Sequence, residues 1–142
     1  MNDRQKILNV CYKLHRLVAK NKTINFKIDN RIKSGGRFIA PNTIVINGKE
    51  RKNKAYLYST ILHEIKHLLN CSSYCTEPEI IKDEFLAERF ALKKLKQYYP
   101  KLYKQYLNQT VNYWVRSGYL KYKWKLHYQA FMKIKEYKDM DL

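Results

Sequence analysis

The chain has 142 residues, with 29 Lys or Arg against 12 Asp or Glu, a formal net charge of +17, and 45% hydrophobic residues. That length fits one domain that buries roughly two-thirds of its unfolded surface, so folding requires neither a metal nor a disulfide. No apolar run approaches a membrane span, and Met1–Arg4 leads into an amphipathic pattern rather than an apolar signal core, so the expectation is a cytoplasmic protein with no membrane partner.

After a cap at Asn2 or Asp3, residues 4–20 set Ile7, Val10, Cys11, Leu14, Leu17 and Val18 along one stripe, the spacing of a helix lying on a core. His15 falls at the edge of that stripe and reads as a core-edge residue, not a ligand. Residues 23–28 alternate, Ile24, Phe26 and Ile28 against Asn25 and Lys27, as a half-buried strand does. Turn residues at Asp29-Asn30, Ser34-Gly35-Gly36, Pro41-Asn42 and Asn47-Gly48 set off two more short strands, Arg37–Ala40 and Thr43–Ile46. The three read as a small antiparallel sheet. Lys49–Lys54 is polar and reads as a loop, with Asn53 placed to cap the helix after it.

The organising stretch follows. Leu57, Ile61, Ile65, Leu68 and Leu69 have helical spacing through Asn70, and a step of four then brings His63 and His67 onto one face about a turn apart. Two imidazoles so placed can grip one metal ion. Glu64 comes directly after the first, so its carboxylate sits beside the metal rather than on it, where it can act as a general base toward a water. Cys71–Thr76 closes the helix. Cys11, Cys71 and Cys75 are an odd number in a chain with no secretory signal, which fits reduced thiols used in packing.

Glu77-Pro78-Glu79 opens the next helix, with proline in the first turn and carboxylates near the positive end of the dipole. It runs to Tyr98, with a core stripe through Ile80 or Ile81, Phe85, Leu86, Phe90, Leu92 and Leu95. Glu84, Ala87, Glu88 and Ala91 occupy an adjoining face, where a small residue lets a neighbouring helix come close. Glu84 and Glu88 lie one turn apart, and either can be a third metal ligand.

Residues 98–142 are basic and aromatic, holding nine of the 13 tyrosines and both tryptophans, Trp114 and Trp124. A helix to about Arg116 is stopped by Ser117-Gly118. Leu120–Tyr128 alternates with lysines like a strand, and residues after Leu126 also suit a helix through Ala130, Ile134 and Tyr137. Lysines interleaved with rings suit a nucleic-acid platform, whereas rings at helical spacing suit a core that completes the domain. Charge is uneven: the middle third holds six of the 12 acids, gathered around the expected metal centre, while both ends are strongly basic. A surface this positive draws nucleic acid or an acidic partner.

His63-Glu64-x-x-His67 followed by Glu84-x-x-Ala87-x-x-Phe90-Ala91 resembles the ImmA/IrrE family of small zinc metallopeptidases, over roughly residues 1–97. Lys66 stands where that family usually has glycine. The resemblance implies an α+β, zincin-like domain: an N-terminal helix, a small antiparallel sheet, the His-Glu-x-x-His helix and further C-terminal helices. Residues 1–97 are then the minimal catalytic part; residues 98–142 carry no pattern of that family and, with no linker to set them apart, read as a basic, aromatic-rich extension packed on it in one domain over 1–142. The resemblance implies that His63, His67 and Glu84 bind Zn2+, with Glu88 the fallback, and that Glu64 activates water. The substrate implied is a DNA-binding repressor or other regulator of a phage or mobile element. Tyr74, Tyr98 and His127 have the chemistry of an oxyanion partner, and an extended peptide can pair with the edge of the 37–46 hairpin. The other reading is a basic protein that binds nucleic acid or a host factor on a zincin-like scaffold with little or no peptidase activity. Its mark is salt-sensitive binding that survives removal of zinc.

Overall fold

The structure is a computed structural model and describes residues 1–70 and 77–116. It is α+β, with four helices and a three-stranded mixed sheet among the described residues. No helix among them is long and apolar enough to cross a membrane. The chain divides after Cys71 into two units.

The first unit opens with α1, Asp3–Val18, whose N-cap is Asn2: its side chain accepts from the Gln5 backbone N–H at 2.8 Å. Ile7, Cys11 and Leu14, on the expected stripe, are buried, while Leu17 at its far end is exposed. His15 is indeed a core-edge residue. Its Nε2 lies 2.6 Å from the Lys22 carbonyl, and its ring meets Phe26 edge-on.

Three strands follow, β1 (Asn25–Ile28), β2 (Gly36–Ile39) and β3 (Thr43–Ile46), in the order β1-β3-β2. Here the expectation of an antiparallel sheet fails: β2 pairs antiparallel with β3, Gly36 opposite Ile46, but β1 runs parallel to β3, Asn25 opposite Thr43. A period of two fixes which face a side chain takes and is blind to strand direction. The central place goes to β3, whose Ile44-Val45-Ile46 is buried throughout, as a strand covered on both faces must be. The alternating strands β1 and β2 take the edges.

Past β3 the polar stretch is a short 3-10 helix, Gly48–Lys52, rather than the expected loop. Asn47, buried at its head, accepts from the Lys49 N–H at 3.0 Å and donates to the Ile32 carbonyl at 3.0 Å. One amide therefore caps the turn and fastens the segment leading into β2. The helix α2, Lys54–Asn70, begins where the expected cap places it, with the Asn53 side chain accepting from the Tyr56 N–H at 3.2 Å. Its apolar face is in the core at Leu57, Ile61, Leu62, Ile65 and Leu68. Within this unit α1 lies against α2 and β1, and α2 against β2 and β3.

The second unit contains α3, Glu77–Tyr98, and α4, Pro100–Arg116, which pack on each other. The buried face of α3 is Asp83, Glu84, Ala87, Ala91, Leu92 and Leu95. This corrects the expected stripe: Phe85, Leu86 and Phe90 are only half-buried, and the side chains of Ile80 and Ile81 lie outside the described residues. The two alanines, each fully enclosed, mark a face built for close approach, not for bulk. Tyr106 of α4, also buried, donates its hydroxyl to Glu88 Oε2 at 2.8 Å. Cys71, Tyr74, Cys75 and everything expected beyond Arg116, including the 120–128 strand, Trp124 and His127, lie outside the described residues.

Candidate metal centre

His63, Glu64 and His67 lie from the third turn of α2 onward, in a helix that packs against β2 and β3. All three are buried, at 8 or 9% exposure. The step of four does what the sequence promised: the two rings stand 4.7 Å apart, edge to face, with His63 Nε2 and His67 Nε2 separated by 3.0 Å. Two nitrogens on adjacent corners of a tetrahedral zinc, each about 2.05 Å from the metal, are about 3.3 Å apart. The observed spacing is within a small ring rotation of that value.

One ligand atom each from His63, His67 and Glu84 lies within 4.8 Å of the others, and all three residues are buried. Such a group could hold a metal ion. Two imidazole nitrogens and one carboxylate oxygen are the donor set that suits zinc with a fourth position open, so the residues fit the ion. Glu88, the alternative acid, is not in the group and accepts the Tyr106 hydroxyl instead.

Glu64 faces a different neighbour. A Cβ placed on Gly36, the first residue of β2, would lie 3.1 Å from Glu64 Cγ and 2.7 Å from Thr60 Cγ2. Only a glycine lets β2 come down this far onto α2, so the strand edge and the glutamate share one wall. Sequence reasoning treated Ser34-Gly35-Gly36 as punctuation. Two glycines at the threshold of a strand are the sequence signal for a close backbone approach. Of the residues with oxyanion-partner chemistry, Tyr98 ends α3 and is exposed, and the other two lie outside the described residues.

Cys11, fully enclosed in α1, has its thiol pushed up to about 12 by desolvation. At the surface, hydrogen bonds from Arg31 hold the Asp29 carboxyl below its usual range. Compared with protein-family models, curated proteins and solved structures, the chain matches none.

Proposed function

We propose that the chain is a zinc-dependent endopeptidase on a zincin-like scaffold, with His63, His67 and Glu84 holding Zn2+ and Glu64 serving as general base. The observation that carries this reading is the buried His63/His67/Glu84 group with an additional buried acid, Glu64, directly after its first histidine. A zinc ion held there supplies Lewis acidity that polarises a peptide carbonyl and acidifies a neighbouring water. Glu64 takes a proton from the attacking water and returns it to the leaving amine nitrogen, the double duty of a single well-placed carboxylate. Burial of Glu64 excludes bulk water, which otherwise competes for that proton. The edge of β2 beside Glu64, unpaired among the described residues, orients an extended substrate by backbone hydrogen bonds. By the resemblance of the two helical motifs, the substrate is a DNA-binding regulator of a phage or mobile element.

The test is a cleavage assay on a proteome-derived peptide mixture with zinc-loaded protein. Glu64→Gln keeps the shape of the side chain and removes its basicity, so zinc content stays and cleavage falls by roughly a hundredfold or more. Unchanged cleavage by that variant refutes the role of Glu64. The net charge of +17 favours a second reading, a binder of nucleic acid. It is supported if DNA or RNA binding is tight, weakens steeply with salt and is indifferent to removal of zinc.

A further inference from the structure

Glu50 belongs to the 3-10 helix between β3 and α2 and is half-buried, in a chain whose bases outnumber its acids by more than two to one. Lys49, Arg51 and Lys52 flank it in sequence and are all exposed, yet its carboxylate forms no ion pair among the described residues. Burial alone raises its carboxyl above the usual range, with no neighbouring charge to offset the effect. A carboxylate partly withdrawn from water without a charged partner carries a cost that an incoming cation relieves.

Its surroundings say where such a cation would come from. A Cβ on Gly35 would lie 2.8 Å from Glu50 Oε1 and 3.3 Å from Thr60 Oγ1, and one on Gly36 would meet Thr60 and Glu64. Glu50, Thr60 and Glu64 thus follow one another beneath two consecutive glycines. Gly36 begins β2, which is bonded to β3 on one side and, among the described residues, is an edge of the sheet on the other. In an extended chain paired to such an edge, every second side chain falls on the face that Gly36 turns toward α2.

We propose that Glu50, with the Thr60 hydroxyl beside it, is a specificity-determining subsite that takes a lysine or arginine side chain of a polypeptide extended along β2; the proposal rests on the hydrolase reading above. Ligand class follows from chemistry. A half-buried carboxylate calls for a charged N–H donor, and the Thr60 hydroxyl can accept a second N–H from the same group. With the rest of the surface so positive, Glu50 selects a cation by contact and not by long-range steering, which works against it.

Two assays at 0.15 M salt, where a Debye length of about 8 Å screens the overall repulsion, separate this proposal from the reading it rests on. In the first, cut positions in a proteome-derived peptide mixture are sequenced for zinc-loaded wild type, Glu50→Gln and Glu50→Lys. Lysine and arginine are expected at one fixed distance from the cut with about tenfold enrichment, the scale of one charge-assisted hydrogen bond. Glu50→Gln should erase the enrichment and Glu50→Lys should replace it with a preference for acids. In the second, short labelled extended peptides differing by one Lys-to-Glu exchange are bound to the Glu64→Gln protein, which does not turn them over. The lysine peptide should bind about tenfold more tightly, and adding Glu50→Gln should remove the difference. Cleavage without a basic preference, or a preference untouched at Glu50, overturns the subsite and leaves the hydrolase reading standing. Absence of cleavage with the binding preference intact sinks the hydrolase reading and supports Glu50 as a peptide-binding site. Neither cleavage nor preferential binding overturns both.

Discussion

Glu84 and Glu88, one turn apart on α3, were interchangeable as ligands in the sequence because helical spacing brings both near the same face. The structure distinguishes them: Glu84 is buried and belongs to the group that could hold a metal ion, whereas Glu88 accepts the Tyr106 hydroxyl. That partner, 18 residues away in sequence, has no local signature. Cys11 was legible as a core thiol from its place in the apolar stripe of α1, and its chemistry follows from that place. With its pKa pushed up to about 12 from 9.0, the folded state disfavours the thiolate. The stability contributed by the neutral thiol is therefore intact below pH 9 and is lost as pH climbs toward 12, since the unfolded chain ionises first. At pH 8, in a Cys71→Ser/Cys75→Ser background, Cys11 should react with a disulfide reagent roughly a hundredfold or more slowly than in the urea-unfolded chain. A folded rate equal to the unfolded one would show that the thiol is not enclosed.

Helices were the readable elements, because amphipathic spacing over four or five turns encodes both existence and face; α3 spans the residues its sequence indicated, Glu77–Tyr98. Its buried face runs through alanines and not the phenylalanines that apolar size favours, because tight approach suits the smaller side chains. Strands were readable as strands but not as neighbours. What put β3 in the centre is its coverage on both faces, visible in the run Ile44-Val45-Ile46, and what pairs β1 with it is a register that no local pattern carries. The least legible feature is the seat of β2 on α2, which depends on two absent side chains. Gly36→Ala puts a methyl in conflict with Thr60 Cγ2 and Glu64 Cγ and should cost roughly 1–3 kcal/mol in urea denaturation, the usual scale of overpacking. Adding Thr60→Ser removes the nearer of those carbons and should recover at least half of the loss. Strict additivity of the two substitutions would mean that the strand and helix are not in contact there.

At the scale of the molecule, the acids are few, and three of them, Glu64, Asp83 and Glu84, are buried in a chain of net charge +17. Composition showed the imbalance, and the uneven placement of acids along the chain pointed to the middle third. It did not reveal how those acids are enclosed, which depends on packing between residues far apart in sequence. The first unit has its own buried core along α1, α2 and β3, so removal of metal should leave far-UV circular dichroism largely unchanged while lowering the melting temperature by a few degrees, the linkage effect of a ligand lost from the native state. The most direct measurement is elemental analysis of the purified protein after exhaustive dialysis, beside His63→Ala, His67→Ala and Glu84→Ala. The account predicts one zinc per chain in the wild type and its loss from either histidine variant, with Glu84→Ala retaining zinc at least tenfold more weakly. A wild-type chain that binds no zinc when it is supplied, or variants that hold it as tightly as the wild type, would contradict the account.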